Sequence, residues 1–263
     1  MDTAESLIKY LENELAPDLE EVKVSDVRIG LEYAGVMLST GEGGVAHVLR
    51  EDSSGYQVFN EAGELQGSSA LNMMNLATSS NLIKAALGVA TINSVSQTAF
   101  NKKPQLYPFT DVDILDLVKP GDKILMVGYM APVIPKLMDK TSSINVIERR
   151  KIQSPIVSIA KEEQIEELSS DADIAIITGS TLVNRTVDNI LKHCKGMREV
   201  VLIGPTASFI PQPLFERGAT AVMGVNIYNP QKMLEVVSQA GGTRKLLKIC
   251  AKKTAILKKD MKI

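Results

Sequence analysis

The chain has 263 residues, 44% hydrophobic and 23% charged, with 29 basic against 31 acidic residues and a formal net charge of −2. This length suits two domains, the composition excludes a disordered chain, and the charge balance gives no footing for nucleic acid. No apolar run nears the ~20 residues that span a bilayer, the N-terminus carries acids where a signal peptide carries lysines, and two cysteines make no disulfide framework, so a cytoplasmic setting is expected.

Leu7, Leu11 and Leu15 recur at helical spacing and predict an amphipathic helix that stops near Pro17. VKVSDVRIG and YAGVMLST alternate as two strands joined by a turn at Gly30 to Glu32, and GVAHVLR and YQVFN read as two more around the turn-rich EDSSG. An antiparallel sheet follows. SSALNMMNLAT predicts a short helix, and SSNLIKAALGVATINSVSQTAF a long one, apolar nearly all round and therefore buried. Asn93 in its middle is either a satisfied core amide or a cleft-facing one, because a buried amide without a partner costs roughly 1–3 kcal/mol. His47, beside Gly43 and Gly44, reads as structural rather than as a ligand, and GEGG is too short for a phosphate loop.

NKKPQLYPF, with two prolines and no periodicity, marks a linker between residues 1–108 and 109–263. Beyond it KILMVGY, SINVIER, DIAIITG, EVVLIGP and TAVMGVNI are apolar, β-branched runs, each followed by a helix-compatible segment. Such runs predict a Rossmann-like, doubly wound parallel sheet covered by helices. The lysine-rich tail KICAKKTAILKKDMKI reads as a solvated C-terminal helix.

Ligands of open α/β sheets bind beyond the carboxyl ends of the strands. Those ends here are Gly128-Tyr129, Glu148-Arg149, Thr178-Gly179-Ser180, Gly204-Pro205-Thr206 and Gly224-Val225-Asn226. Glu148 falls where a dinucleotide- or adenosyl-binding fold places its ribose acid. Yet Tyr129, Met130, Ala131 and Pro132 stand where a glycine-rich loop belongs, which makes a poor phosphate cradle. A salt bridge from Glu148 to Arg149 or Arg150 is the other reading. After Thr178, the spacing of Val183, Val187, Ile190, Leu191 and Cys194 makes one apolar helix stripe, with Cys194 in the core. Ser180 or Thr181 can cap that helix. Thr178, Asn184 and Thr186 then remain as surplus polar groups at a helix N-terminus, where negative charge is favoured.

The blocks NLIKAALGVATINSV, MVGYMAPVIPKL, INVIERR, DIAIITGSTLVNRTVDNIL and VVLIGPTASFIPQPLFERGAT resemble, in this order, a prokaryotic family labelled "putative heavy-metal chelation". The resemblance implies an enolase-N-terminal-like α+β domain followed by a Rossmann-like domain, with a site between them. Matching blocks carry the family's polar positions onto Asn93, Gly128, Glu148, Arg149, Thr178, Gly179, Ser180, Asn184, Thr186, Gly204 and Pro205. The name implies a metal ion or a metal chelate. Soft metals want thiolates and imidazoles, but only His47, His193, Cys194 and Cys250 exist, without paired spacing. A metal carried by a small organic chelator, gripped through carboxylates or phosphates, fits the strand-edge chemistry better than a bare ion.

The expected function is therefore binding of a small polar or anionic ligand, or a metal chelate, in an interdomain cleft. A nucleotide- or S-adenosylmethionine-dependent enzyme using Glu148 is the first alternative, and a non-catalytic assembly protein the second. No Ser-His-Asp set or paired-carboxylate motif settles whether chemistry follows. A homodimer is the commonest assembly for such a chain.

Overall fold

A computed structural model describes residues 1–50 and 59–261. The turn expected at 51–55 and most of the strand expected at 56–60 lie outside the described residues.

Helix α1 (Thr3–Leu15) opens on a reciprocal cap between Asp2 and Glu5 and buries Leu7, Leu11 and Leu15. Strands β1 (Val24–Ile29), β2 (Tyr33–Leu38) and β3 (Gly43–His47) form a three-stranded antiparallel sheet in sequence order. Helix α2 (Ala70–Asn75) is capped by Ser69, and α3 (Leu82–Lys102) by Asn81. Every residue of α3 from Ala85 to Phe100 is buried. This explains its missing polar face, because the small sheet lies on one side and the second half of the chain on the other.

The polar residues of α3 are cross-links. Ser94 Oγ donates to the Val36 carbonyl (2.9 Å), and Asn93 Nδ2 donates to the carbonyls of Val45 (2.8 Å) and Thr206 (3.0 Å). Ser96 Oγ accepts from Ile210 N–H (3.0 Å). A buried polar group is tolerated when it is bonded in this way.

The second half contains α4 (Ile114–Leu117), β4 (Lys123–Val127), α5 (Ile134–Met138), β5 (Ser143–Ile147), β6 (Ser158–Ala160) and α6 (Ile165–Ser169). It continues through β7 (Ile174–Thr178), α7 (Ser180–Val183), α8 (Val187–His193), β8 (Glu199–Ile203), α9 (Gln212–Phe215) and β9 (Ala221–Ile227). It ends with α10 (Pro230–Ser238), α11 (Thr243–Ile249) and β10 (Ala251–Leu257). The seven strands lie in the order β10-β9-β8-β7-β4-β5-β6, all pairs parallel except β10 with β9. The fold is thus mixed α/β, a mostly parallel sheet beside a small antiparallel one. The chain leaves β4 toward β5 and β6, then returns to β7 on β4's other side. Strand order therefore reverses between β4 and β7, and a cleft opens there.

Alternation sorts the parallel strands onto two faces. Ile124, Met126, Ile174 and Ile176 pack with Ile114 of α4 and Ile134 of α5. Leu125, Val127, Ala175 and Ile177 share a core with α3, α8 and the inner face of the small sheet. That sheet's other face is covered by α10, through Met233, Leu234 and Val237 against Tyr33 and Val45.

The tail corrects one expectation. Residues Ala251–Leu257 form β10, not a helix, in register from Ala251 opposite Ile227 to Leu257 opposite Ala221. β-branched Thr254 and Ile256 suit a pleat, and the exposed Lys252 and Lys253 suit the outer strand of a sheet. The three-residue β6 was too short to be legible as a strand. The segment 101–109, expected as a plain linker, buries Tyr107 edge-on to Phe100, with ring centroids 5.2 Å apart.

Candidate functional site

Gly128 ends β4 with φ 91°, and its N–H donates to the Ile147 carbonyl (2.9 Å). A Cβ here would lie 2.6 Å from Thr178 Cγ2, so only glycine lets the ends of β4 and β7 meet. Gly179 presses the β7 turn onto the next one, since a Cβ would stand 2.5 Å from Ala207 N. The turn after β8 begins at Gly204 (φ 111°), and Thr206 accepts from Asn93 through its carbonyl and from His47 N–H through Oγ1 (3.0 Å). The small sheet and α3 thereby hold the strand-end turn of the large sheet.

These turns open on a cleft of about 1490 Å³ that also touches the end of β3. Its walls include every residue carried over from the family blocks except Asn93 and Gly179. Asn93 is wholly buried and acts behind the wall, bonded through Nδ2 while its Oδ1 has no partner. Gly179 is buried beneath Ala207.

The Glu148 carboxylate is already engaged. Oε2 accepts from Tyr129 N–H (2.9 Å), Oε1 accepts from Arg150 N–H (2.9 Å), and the Arg150 guanidinium pairs with Oε2 at 2.9 Å. Burial alone would raise its pKa, but Arg150 and these backbone donors outweigh burial and hold it below the usual glutamate value. Arg149 turns to Glu162 (2.7 Å) and Lys253 to Asp113 (3.0 Å). Lys136, Arg50 and Arg244 add further positive charge to the walls.

Around β7 the structure corrects two expectations. Helix α7 has four residues, its N-cap is Gly179 and no side chain caps it. A single turn has too few aligned peptides for the dipole argument to hold. Asn184 is not inside a helix but ends α7, where its Oδ1 accepts from Thr186 Oγ1 (2.8 Å) and, more weakly, from Thr186 N–H (3.3 Å). Arg185 follows with φ 59° and leaves the cleft to reach Asp2 (3.0 Å) and the Thr78 carbonyl (2.8 Å). The helix breaks at Asn184 and Arg185, so Val187, Ile190 and Leu191 belong to α8, with Val183 before the break and Cys194 at the α8 C-cap. All five are buried.

Among the described residues, no three His, Cys, Asp or Glu side chains gather as a metal site. Both cysteines are free and buried, and burial pushes the Cys194 thiol up to about 12 and the Cys250 thiol to about 11. Neither lines the cleft, and neither is a thiolate at neutral pH. The donor set does not fit a bare soft ion held by side chains alone.

Sequence reasoning passed over Glu32, His47 and Arg244 as site residues. Arg244 reaches the cleft from α11 and Glu32 from the β1–β2 turn, placements that only tertiary structure reveals. His47 has a local signal, its place at the end of a strand beside Gly43 and Gly44, but a structural histidine shares that signal.

A mostly parallel sheet with a switch point between β4 and β7, and a small antiparallel sheet across the cleft at its strand ends, defines a mixed α/β architecture. Two family models, both described as "Putative heavy-metal chelation", match residues 111–256 and 12–96, and the chain belongs to this family. An uncharacterized protein of Methanocaldococcus jannaschii is 30% identical over 230 residues, 84% of this chain and 85% of that protein. The crystal structure of a family member of unknown function from Pyrococcus horikoshii superposes with a TM-score of 0.80 at 24% identity, covering 97% of this chain and 99% of that one. A second, from Desulfitobacterium hafniense, gives a TM-score of 0.77 at 18% identity over 97% of this chain and 99% of its own. At these identities the two structures speak to the fold alone.

Proposed function

We propose that the protein binds a small polyanion, or a metal chelate held through its organic anion, in the cleft at the carboxyl ends of the parallel strands. The observation that carries this reading is that Thr178, Ser180, Asn184 and Gly204 line one cleft together with Arg150 and Arg244. Clefts of this kind at switch points are where α/β sheets take ligands. The family description supports a metal as part of the cargo. The chelator would supply the donors that this chain lacks, and arginines are suited to carboxylates and phosphates.

We further read residues 1–108 as an enolase-N-terminal-like domain and 109–263 as a Rossmann-like one. The order of the six parallel strands supports the second assignment, and the change of family model between residues 96 and 111 supports the boundary. The cysteines, free and buried, suit a cytoplasmic setting. An adenosyl or nucleotide ligand is less well supported, because Glu148 spends its acceptors on Tyr129 N–H and Arg150 rather than offering them to a ribose.

Thermal-shift and calorimetric titration with phosphate, citrate and nickel–citrate tests the reading. Binding of at least one by the parent, and weakening of about tenfold or more by Arg244→Ala with the melting temperature unchanged, is expected. A parent that binds none of them, or an Arg244→Ala variant with full affinity, sinks the proposal.

A further inference from the structure

His47 enters the cleft from the end of β3 with its hydrogen-bonding capacity unmet. Its Nδ1 is buried without a partner, and its Nε2 stands 3.9 Å from Glu32 Oε2, too far for a hydrogen bond. A neutral imidazole has one donor and one acceptor to satisfy. His47 is tied through its backbone and packs against one aromatic ring. Its backbone N–H is tied to Thr206 Oγ1, and the Tyr33 ring stands edge-on at 6.0 Å, fixed in turn by a 2.7 Å hydroxyl bond to Thr243. The side chain keeps 30% of its surface exposed, and because Nδ1 has none of it, Nε2 is the nitrogen that a ligand in the cleft can reach.

Glu32 adds to the case. It lines the same cleft, and among the described residues it forms no ion pair other than this long approach to His47. Its carboxylate only accepts hydrogen bonds, and it repels a plain polyanion seated on Arg150. Burial holds the His47 pKa below its ordinary value, with Glu32 and Glu148 opposing and Arg150 and Arg50 assisting, so the ring is neutral and able to accept at neutral pH.

Resting on the cleft reading above, we propose that Glu32 and His47 form its proton-accepting pole, and that the ligand is a hydroxy- or amino-substituted polycarboxylate. The carboxylates meet Arg150 and the other cations, while the hydroxyl or ammonium meets Glu32 and His47. A site built around such a donor rejects the analogue that lacks it.

Two matched pairs test this by calorimetry at pH 7.5: citrate against tricarballylate, which lacks only the hydroxyl, and glutamate against glutarate, which lacks only the amino group. The parent is expected to prefer the substituted member of at least one pair by about tenfold or more. His47→Leu and Glu32→Gln should each shrink that preference below about threefold while keeping the affinity for the unsubstituted member, and half-exposed Glu32 offers a variant with little risk to folding. A parent that binds both members of each pair equally, or variants that keep the preference, overturns this inference and leaves the anion cleft standing. Binding of none of the four overturns this inference alone; the cleft reading falls only if phosphate and nickel–citrate fail to bind as well.

Discussion

At the scale of single residues, polar side chains at the strand ends tie one turn to the next. Glu148 is the clearest case. It joins the β4 turn, through Tyr129 N–H, to the β5 turn, through Arg150. Replacing it with glutamine sets an amide donor against those donors, so Glu148→Gln should lose about 1–3 kcal/mol at pH 7. The sign of the pH dependence follows from its depressed pKa. The carboxylate's contribution is fully present above the ordinary value of 4.5 and is lost as pH falls through the lower folded value. The stability gap between parent and variant, measured by urea unfolding, should therefore narrow as the pH is lowered from 7 through the ordinary value of 4.5 and below it. A gap that stays constant across that range would show that charge is not what Glu148 contributes. The sequence raised the pairing with Arg150 as an option, because adjacency makes it available. It could not place His47 in the cleft in the same way, since the walls around it come from residues far away in the chain.

Elements were legible where one period dominated. The five long apolar runs became β4, β5, β7, β8 and β9, and the featureless apolar segment became the buried α3. Reading failed where local signals competed. Lysines in the tail masked β10, and the apolar stripe ran unbroken through Asn184 and Arg185, where the backbone turns out of the helix. The glycines of buried elements record contacts that periodicity does not report. Gly88, in α3, is one: a Cβ there would stand 2.0 Å from Ala77 N and 2.6 Å from the Leu76 carbonyl carbon. Alanine is the better helix former by about 1 kcal/mol, yet overpacking against rigid backbone costs about 1–3 kcal/mol or more. The second effect wins, so Gly88→Ala should destabilise the protein by at least ~1 kcal/mol in urea unfolding. A variant as stable as the parent would mean that the 76–78 segment yields easily.

At the scale of the whole molecule, the two halves divide by sheet but not by core. One apolar cluster runs from Leu7 and Val36 through α3 to Ala175 and Leu202. The outer face of the small sheet is closed by α10, which arrives from the second half, and Gly35 is bare so that Val237 can approach, at 3.2 Å from where its Cβ would stand. Each large apolar side chain left uncovered forfeits roughly 1.5–3 kcal/mol, against a total stability of about 5–15 kcal/mol for a typical domain. Removing the second half uncovers Tyr33 and Val45 on one side and the far flank of α3 on the other, and it strips Asn93 of its Thr206 partner and Ser96 of Ile210. Residues 1–108 expressed alone should therefore lack a stable fold, giving a poorly dispersed amide spectrum and no cooperative melt, while the full chain unfolds in one transition. A fragment with dispersed resonances and a sharp melt would show instead that the small sheet is self-sufficient. The cleft would then lie between independently folding domains that can hinge, and not within a single clasped core.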